Sequence, residues 1–169
     1  DKRKKYITNL YSLNRAHYYR SIYNCLISTS KSINEDNSLL NCRIKGLEHK
    51  SPDLVIIDRY MKIRKNLKLF KNKGKRKIWL ITLRKNISKI NFLKKKGVKI
   101  IFLNSLSSIK DFKNLFLKLK KMNYTRILIE SGVTFLSELI NKRFINNVYL
   151  FKSDINLGKN GLKKANSIF

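Results

Sequence analysis

Residues 126–151, RILIESGVTFLSELINKRFINNVYLF, contain the pattern that decides the fold. The run at 126–129 is typical of a buried strand, and it ends at Glu130. A turn with Gly132 follows, after which apolar residues recur at helical spacing, at Val133, Leu136, Leu139 and Ile140. Residues 148–151 are predicted to form a second strand. The stretch is therefore a strand–turn–helix unit, which is the building block of an α/β fold.

The turn at Gly132 is a candidate anion-binding site. The first backbone N–H groups of a helix have no partner inside the helix, and the helix dipole is positive at that end. Both features suit a phosphate or a pyrophosphate. Glu130 ends the preceding strand, where α/β folds place their ligands. Any strand–helix turn shares these features, so the turn alone leaves a purely structural role open.

Strands alternate with helices along most of the remaining chain. Apolar runs predict strands at residues 23–28, 53–58, 77–82 and 98–103. Helical spacing and capping residues predict helices at about 9–20, 88–96 and 109–121. Residues 29–37 show no strong periodicity, and residues 39–44 are either a short strand or an extended passage. This alternation predicts one α/β domain with a mostly parallel central sheet and helices on both faces.

The net charge of the chain is unusually positive. The 169 residues have a formal net charge of +29, which is typical of proteins that bind nucleic acid or anionic membranes. Lys is spread along the chain, however, and is abundant together with Asn and Ile, a composition that A/T-rich codons produce on any surface. We therefore expect no nucleic-acid partner and no membrane partner. A basic α/β module that binds nucleic acid remains the alternative function.

The chain offers few residues for metal binding or disulfide formation. Cys25 and Cys42 are too few for a disulfide framework or a zinc cage, so we expect two small buried thiols and no metal. His17 and His49 lack the spacing of metal ligands. No apolar run is long enough to span a bilayer, and no signal peptide is expected. These features predict a protein of the reducing cytoplasm.

Four motifs occur in order over nearly the whole chain. Residues 6–8 are followed by His17 and Arg20, residues 32–43 read SINEDNSLLNCR, residues 52–58 read PDLVIID, and residues 126–158 run from the RILI strand to an Asn-Leu-Gly loop. In this order they resemble the reductase domain of the bacterial riboflavin-biosynthesis deaminase/reductase family. That family has Trp-Ile-Thr with a later His-x-x-Arg, then Thr-Val-x-x-Asp-Asp-Pro-x-Leu-Thr-x-Arg. A proline-led strand ending in Asp and a strand ending in Glu-Gly-Gly follow.

The resemblance implies a dihydrofolate-reductase-like fold and an NADPH-dependent oxidoreductase that is a homodimer. The implied substrate is 5-amino-6-(5-phosphoribosylamino)uracil, whose ribosyl group is reduced to ribityl. Matched motif by motif, the resemblance implies substrate-facing residues at Arg20, Leu40, Arg43 and Glu130. It implies cofactor-facing residues at Tyr6, Ser32, Asp36, Arg59, Gly132, Val133, Thr134, Phe135, Leu136, Ser137 and Glu138. No single catalytic acid is assigned, because the hydride chemistry belongs to the nicotinamide.

The residues themselves leave ordinary structural roles open. Arg20 and Arg43 are also explained as surface charges, Asp36 as a turn residue, Glu130 as the partner of a nearby Lys, and Tyr6 as a core side chain. The chemistry nevertheless agrees with the resemblance, because guanidinium groups bind phosphate oxygens in a bidentate manner.

Several positions differ from the family pattern. Ser131 replaces the first Gly of Glu-Gly-Gly, and Arg59 replaces a common small Ser, where its charge favours the extra phosphate of NADPH. The strand that normally precedes Tyr6 and the strands expected after Phe169 are missing from the sequence. We therefore expect one reductase-like domain over residues 1–169, truncated at its N-terminus and incomplete at both ends, whose activity in isolation stays open. A related dihydrofolate-reductase-like reductase of another pyrimidine or of a pterin is a further alternative.

Overall fold

The described residues of the protein contain one five-stranded parallel sheet. The computed structural model describes residues 9–71 and 75–151. The strands are β1 (Cys25–Thr29), β2 (Asp53–Ile57), β3 (Ile78–Thr82), β4 (Val98–Phe102) and β5 (Ile127–Ile129), in the order β4-β3-β2-β1-β5. The helices are α1 (Leu10–Ile22), α2 (Ser30–Asp36), α3 (Lys68–Lys71), α4 (Ile87–Lys95), α5 (Ile109–Lys121) and α6 (Val133–Asn141), with a 3-10 turn at Glu48–Lys50. The predicted parallel α/β sheet is confirmed.

Two hydrophobic cores cover the two faces of the sheet. Side chains alternate along a strand, so Leu54 and Ile56 of β2 point to one face, whereas Val55 and Ile57 point to the other. The first core contains apolar residues from α2, α3 and α4, and the second contains residues from α5 and α6. The predicted arrangement of helices on both faces is therefore confirmed. Strands β1, β2 and β3 read as nearly continuous apolar runs because both of their faces are buried.

Helix α5 shows how local sequence sets the bounds of an element. Ser108 Oγ accepts a hydrogen bond from the backbone of Asp111 at 3.2 Å, and the Asp111 carboxylate accepts one from the backbone of Ser108 at 2.9 Å. This capping box satisfies backbone donors at the start of the helix. The hydrogen bonds from Ser108 and its neighbours hold the pKa of Asp111 well below its usual value. Phe112, Leu115 and Leu119 then bury one face of the helix.

The order of the strands creates a topological switch point between β1 and β5. The chain adds β2, β3 and β4 in succession on one side of β1, and then returns to place β5 on the other side. Helix α2 follows β1 and packs in the first core, whereas α6 follows β5 and packs in the second. The chain therefore diverges at the carboxyl ends of β1 and β5. Such a switch point is where open parallel sheets bind their ligands.

Two expectations about individual elements were wrong, and a helix forms in one stretch where the sequence shows no strong periodicity. Residues 148–151 form no strand; Tyr149 instead stacks on Tyr19 of α1, with ring centroids 4.0 Å apart. Residues 29–37 contain α2, which Thr29 caps and which Ile33 anchors in the first core. Strand β5 is half-buried rather than buried, because β1 is its only partner among the described strands.

The remaining sequence expectations have mixed outcomes. Residues 39–44 form no regular strand, which agrees with the extended-passage alternative. Cys25 and Cys42 are free and buried, as predicted. Tyr6 lies outside the described residues, as does the Asn-Leu-Gly loop that ends at Gly158. In the described part of the chain no helix is long and apolar enough to cross a membrane.

Candidate active site

An ion pair joins α1 to the residue that follows β5. Arg20 Nε donates to Glu130 Oε1 at 2.8 Å, and Arg20 Nη2 donates to Glu130 Oε2 at 2.7 Å. The Arg20 side chain is 14% exposed and the Glu130 side chain 26% exposed. The backbone of Glu130 is fixed as well, because its N–H donates to the carbonyl of Ile27 in β1 at 2.9 Å. The partner of Glu130 is thus an arginine of the predicted substrate site and not a lysine.

Two further residues extend this pair into a cluster. His17 lies one turn before Arg20 on the same face of α1. Arg43 Nε and Nη2 lie 3.2 and 3.1 Å from His17 Nε2, while His17 Nδ1 lies 3.1 Å from the carbonyl oxygen of Asn41. Arg20 Nη1 donates to the same carbonyl at 3.1 Å. We call Arg20, His17, Arg43 and Glu130 the arginine–histidine cluster.

His17 was not among the residues expected to face a ligand. The signal was present in the sequence, because His-x-x-Arg spacing places both side chains on one face of a helix. Burial lowers the pKa of His17, and the positive charges of Arg20 and Arg43 lower it further. Glu130 and the hydrogen bond to Asn41 act in the opposite direction. The imidazole is therefore neutral at physiological pH.

Leu40 lies beside this cluster, but its side chain belongs to the first core. It is 8% exposed and has a positive φ of 52°. Its carbonyl accepts a hydrogen bond from Arg76 Nη1 at 2.7 Å, and Arg76 Nη2 donates to the carbonyl of Leu39. Burial lowers the pKa of Arg76 to about 10. Sequence reasoning missed Arg76, which fixes the loop that leads to Arg43.

Ser32 and Gly132, both expected to face the cofactor, meet at the switch point. Gly132 N donates to Ser32 Oγ at 2.9 Å, and Ser32 Oγ lies 3.0 Å from Thr29 Oγ1. Helix α2 is capped by Thr29, whereas no side chain caps the start of α6 at Gly132. A Cβ atom added at Gly132 would lie 3.5 Å from Ser32 Oγ. Apart from the Gly132 N–H, which Ser32 Oγ accepts, the first backbone donors of α6 have no side-chain acceptor among the described residues, which is the arrangement that binds phosphate groups.

Arg59 and Glu138 contact each other on the neighbouring side of α6. Arg59 follows the carboxyl end of β2, and its Nη2 donates to the two carboxylate oxygens of Glu138 at 3.0 and 2.8 Å. Arg59 Cζ also lies 5.9 Å from the ring centroid of Phe112. Lys142 Nζ approaches Glu138 at 4.0 Å. The charge expected to favour NADPH is thus paired with another residue of the expected cofactor set.

The other expected cofactor residues have separate surroundings. Phe135 is buried in the second core, Ser137 Oγ donates to the carbonyl of Val133 at 2.8 Å, and Thr134 is exposed. Asp36 is the exposed last residue of α2, and among the described residues no side-chain hydrogen bond or ion pair joins it to Ser32 or Gly132. These positions stay predictions for cofactor binding.

A cavity of about 620 Å³ runs along the side of β5 that faces away from β1. Residues from α1, β5, α6 and the segment after α6 line it, including Ala16, Tyr19, Glu130, Leu136 and Tyr149. Glu130 and Leu136 thus belong both to this cavity and to the residues expected to face the ligands. The described residues place open space directly beside the arginine–histidine cluster.

Comparison with known families settles the relationship of this chain. The family model described as the RibD C-terminal domain matches residues 1–165. The chain belongs to this family. A relative from Buchnera aphidicola subsp. Acyrthosiphon pisum (strain APS), named 5-amino-6-(5-phosphoribosylamino)uracil reductase, is 30% identical over 166 residues. The match covers 91% of this chain and 77% of that protein, and it confirms the predicted family.

Solved structures of RibD proteins share the fold. Acinetobacter baumannii RibD in form 1 matches 95% of this chain and 46% of that chain, with a TM-score of 0.67 and 17% identity. The Saccharomyces cerevisiae riboflavin biosynthesis reductase Rib7 matches 78% of this chain and 58% of that chain, with a TM-score of 0.61 and 23% identity. This chain spans less than half the length of the Acinetobacter RibD chains it matches. The predicted dihydrofolate-reductase-like fold is confirmed by this likeness.

Proposed function

We propose that this RibD C-terminal domain is an oxidoreductase of riboflavin biosynthesis. It reduces 5-amino-6-(5-phosphoribosylamino)uracil to the ribityl form and takes the hydride from NADPH. The family match over residues 1–165 supports the class of reaction. One structural observation carries the site: Arg20, Arg43 and Glu130 come from distant parts of the sequence and meet in a single cluster beside the switch point, in which His17 and Arg20 share the Asn41 carbonyl as hydrogen-bond acceptor.

The chemistry of the cluster suits the substrate. A ribose phosphate needs planar cationic donors, and a guanidinium group binds phosphate oxygens through two parallel hydrogen bonds. Arg43 is exposed and near the positive charge of Arg20. Glu130 presents a carboxylate that accepts hydrogen bonds from N–H or O–H groups of the pyrimidine or the sugar. The cluster can therefore orient both ends of the substrate without covalent chemistry.

The start of α6 suits the cofactor. Apart from the Gly132 N–H that Ser32 Oγ accepts, its first backbone donors have no side-chain acceptor among the described residues, and Gly132 adds no side chain there, so these donors can serve a pyrophosphate. NADPH supplies the hydride when it is bound. Arg59 lies across from α6 and offers a positive charge for the additional phosphate of NADPH. The residues present therefore fit a phosphorylated nicotinamide cofactor.

The proposal is tested by following the loss of NADPH absorbance with the aminouracil ribosyl phosphate as substrate. Turnover with this substrate supports the proposal if Glu130→Ala and Arg43→Ala both lower it. Both variants must keep a cooperative unfolding transition, so that the loss of turnover is not a loss of the fold. Turnover that is unaffected by both changes would show that the site lies elsewhere. Reduction of a pterin or of another pyrimidine in preference to this substrate would favour the related-reductase alternative.

The other sequence-based expectations stay predictions. A homodimer, a cytoplasmic location and the absence of metal, nucleic-acid and membrane partners follow from composition or from the resemblance. The net charge of +29 is the single feature that favours the nucleic-acid alternative. That alternative requires binding to oligonucleotides that survives physiological salt, because non-specific phosphate contacts weaken steeply as salt rises.

A further inference from the structure

The contacts of His17 define its protonation state. Arg43 can only donate hydrogen bonds, so His17 Nε2, which lies 3.2 and 3.1 Å from its Nε and Nη2, must accept. The carbonyl of Asn41 can only accept, so His17 Nδ1 at 3.1 Å must carry the proton. One neutral tautomer satisfies both contacts. The approach of Arg20 Nη1 to Nδ1 at 3.4 Å is then a contact between two donors and not a hydrogen bond.

The two arginines of the cluster differ in how far their donors are used. Arg20 donates hydrogen bonds from Nε and Nη2 to the Glu130 carboxylate and from Nη1 to the Asn41 carbonyl, and its side chain is 14% exposed. Arg43 is exposed, both of its hydrogen bonds among the described residues go to His17, and neither uses Nη1. Arg20 is therefore a fixed internal partner of Glu130, whereas Arg43 keeps donors for a ligand.

We propose that neutral His17 is a positioning residue that holds Arg43 as the guanidinium that binds the phosphate monoester of the substrate. Arg20 then orients Glu130 and does not itself provide the main phosphate contact. The identity of the substrate in this inference rests on the proposed function. The division of roles between the two arginines rests on the contacts alone and assigns to His17 a task that the motif resemblance does not.

The inference has a consequence for the effect of pH. The groups that face His17 are Arg20 on α1, Arg43 and the Asn41 carbonyl on the loop, and Glu130 after β5. A proton on Nε2 would place a donor and a positive charge against the Arg43 guanidinium, so protonation releases Arg43. Burial and the two arginines lower the pKa of His17, which keeps the contact in place at neutral pH. Phosphate affinity should therefore fall in acid.

The first test uses the chain without any substrate. Nitrogen NMR of the imidazole, with the signal assigned by its loss in His17→Gln, should show a protonated Nδ1 and a bare Nε2 at neutral pH. Arg43→Ala should raise the pKa of His17, because it removes a neighbouring positive charge. An imidazolium at neutral pH, the opposite tautomer, or a pKa insensitive to Arg43→Ala would each overturn the inference.

The second test separates positioning from a purely structural role. His17→Ala should raise KM for the phosphorylated substrate about tenfold, the effect of losing one hydrogen bond to a charged group, with a smaller effect on kcat. His17→Gln should recover most of that affinity, because its carboxamide oxygen accepts from Arg43. The ratio of the Gln-variant KM to the wild-type KM should fall as pH decreases, since only the wild type loses its acceptor. Substrate ionisation affects both proteins equally and cancels in this ratio.

Equal KM values for His17→Ala and wild type, or a ratio of Gln-variant to wild-type KM that does not change with pH, would overturn the inference. If the wild type shows no turnover, the proposed function fails separately. Calorimetry with ribose 5-phosphate, and with ribose as the control lacking phosphate, then decides the positioning role. If ribose 5-phosphate binds through its phosphate and His17→Ala weakens this binding, the positioning role is supported. If His17→Ala leaves the affinity for ribose 5-phosphate unchanged, the role is overturned.

Discussion

Arg20 and Glu130 are 110 residues apart in the sequence, yet their side chains form two parallel hydrogen bonds of 2.8 and 2.7 Å. The pair connects α1 to the end of β5, the edge strand of the described sheet. Because Glu130 also extends the backbone ladder to Ile27, the pair holds together the part of the fold in which the cluster and the switch point meet.

We expect this pair to stabilise the fold measurably. Arg20→Met and Glu130→Gln should each cost about 1–3 kcal/mol, because each leaves a charged or polar partner unsatisfied in a partly buried place. In a double-mutant cycle measured by urea unfolding, the coupling between them should be about 1 kcal/mol or more. Arg15→Met, on the exposed side of the same helix, is the matched control and should change stability by less than about 0.5 kcal/mol. Additive effects of the two changes would contradict this role.

Gly132→Ala should weaken NADPH binding while leaving the stability of the fold nearly unchanged. Gly132 has a φ of −65°, which any residue adopts, and an added Cβ makes only an ordinary contact with Ser32 Oγ. The stability should change by less than about 0.5 kcal/mol, while the methyl group narrows the space at the free helix start and weakens NADPH binding. Calorimetric titration with NADPH measures this effect.

Gly46→Ala provides the reverse control. Its φ of +85° suits glycine, so alanine there should cost about 1 kcal/mol or more in stability without changing NADPH affinity.

Unaltered NADPH binding in Gly132→Ala would exclude the start of α6 as the pyrophosphate site.

Glu138→Gln should increase the preference for NADPH over NADH. Both oxygens of Glu138 now accept from Arg59, so the carboxylate neutralises the charge expected to meet the additional phosphate. Removing it should strengthen NADPH binding by at most about 1 kcal/mol, or roughly fivefold, because the pair is partly exposed. Arg59→Ser should weaken NADPH binding and leave NADH binding nearly unaltered. Equal effects on both nucleotides would place the additional phosphate away from Arg59.

Tyr124 lies away from the candidate site, and Tyr124→Phe should destabilise the protein. Tyr124 Oη donates to Asp53 Oδ2 at 2.7 Å and accepts from Trp79 Nε1 at 2.9 Å. Losing the hydroxyl leaves both partners unsatisfied and should cost about 1–3 kcal/mol. Tyr60→Phe is the matched control, since Tyr60 is 60% exposed and should tolerate the loss of its hydroxyl. A similar melting temperature for both variants would show that the network contributes nothing.

The two thiols should be inert in the folded chain. Cys25 and Cys42 are buried, and burial raises the pKa of Cys25 to about 12, so little thiolate forms at neutral pH. A thiol reagent should label both residues in denaturant and neither of them quickly without it. Rapid labelling of the folded chain would mean that the structure around Cys25 or Cys42 opens readily.

The central strands and the longest helix were predictable because their sequence signals agree with their surroundings. Residues 53–57 are covered on both faces, so they read as a continuous apolar run, and α5 has a clean apolar stripe and a capping box. Helix α2 has no such stripe. Thr29 as a cap and Ile33 as a single buried anchor were enough to form it, and polar residues fill the rest. Residues 148–151 have strand-like composition, but composition does not reveal whether a partner strand is available.

The sequence singled out candidate site residues, whose role in binding stays a prediction, but it did not predict the contacts between them. Motif matching identified Arg20, Arg43 and Glu130, but the pairing of Arg20 with Glu130 depends on how β5 returns beside β1. His17 became visible as the link between the two arginines only in three dimensions. A sequence states which charges exist; the fold determines which of them neutralise each other.

The bare start of α6 makes the dynamics of this helix depend on the composition of the solvent. Side-chain oxygens of Asn9, Thr29, Asn86 and Ser108 close the starts of α1, α2, α4 and α5, whereas Gly132 offers none to α6. A missing cap costs a helix about 1 kcal/mol, so the first turn of α6 should open more often than its counterparts. Its amide hydrogens should exchange fastest among these helix starts in dilute buffer. An anion bound at the start of α6 should slow this exchange, so the exchange rate of these amides would measure how much of the site is occupied.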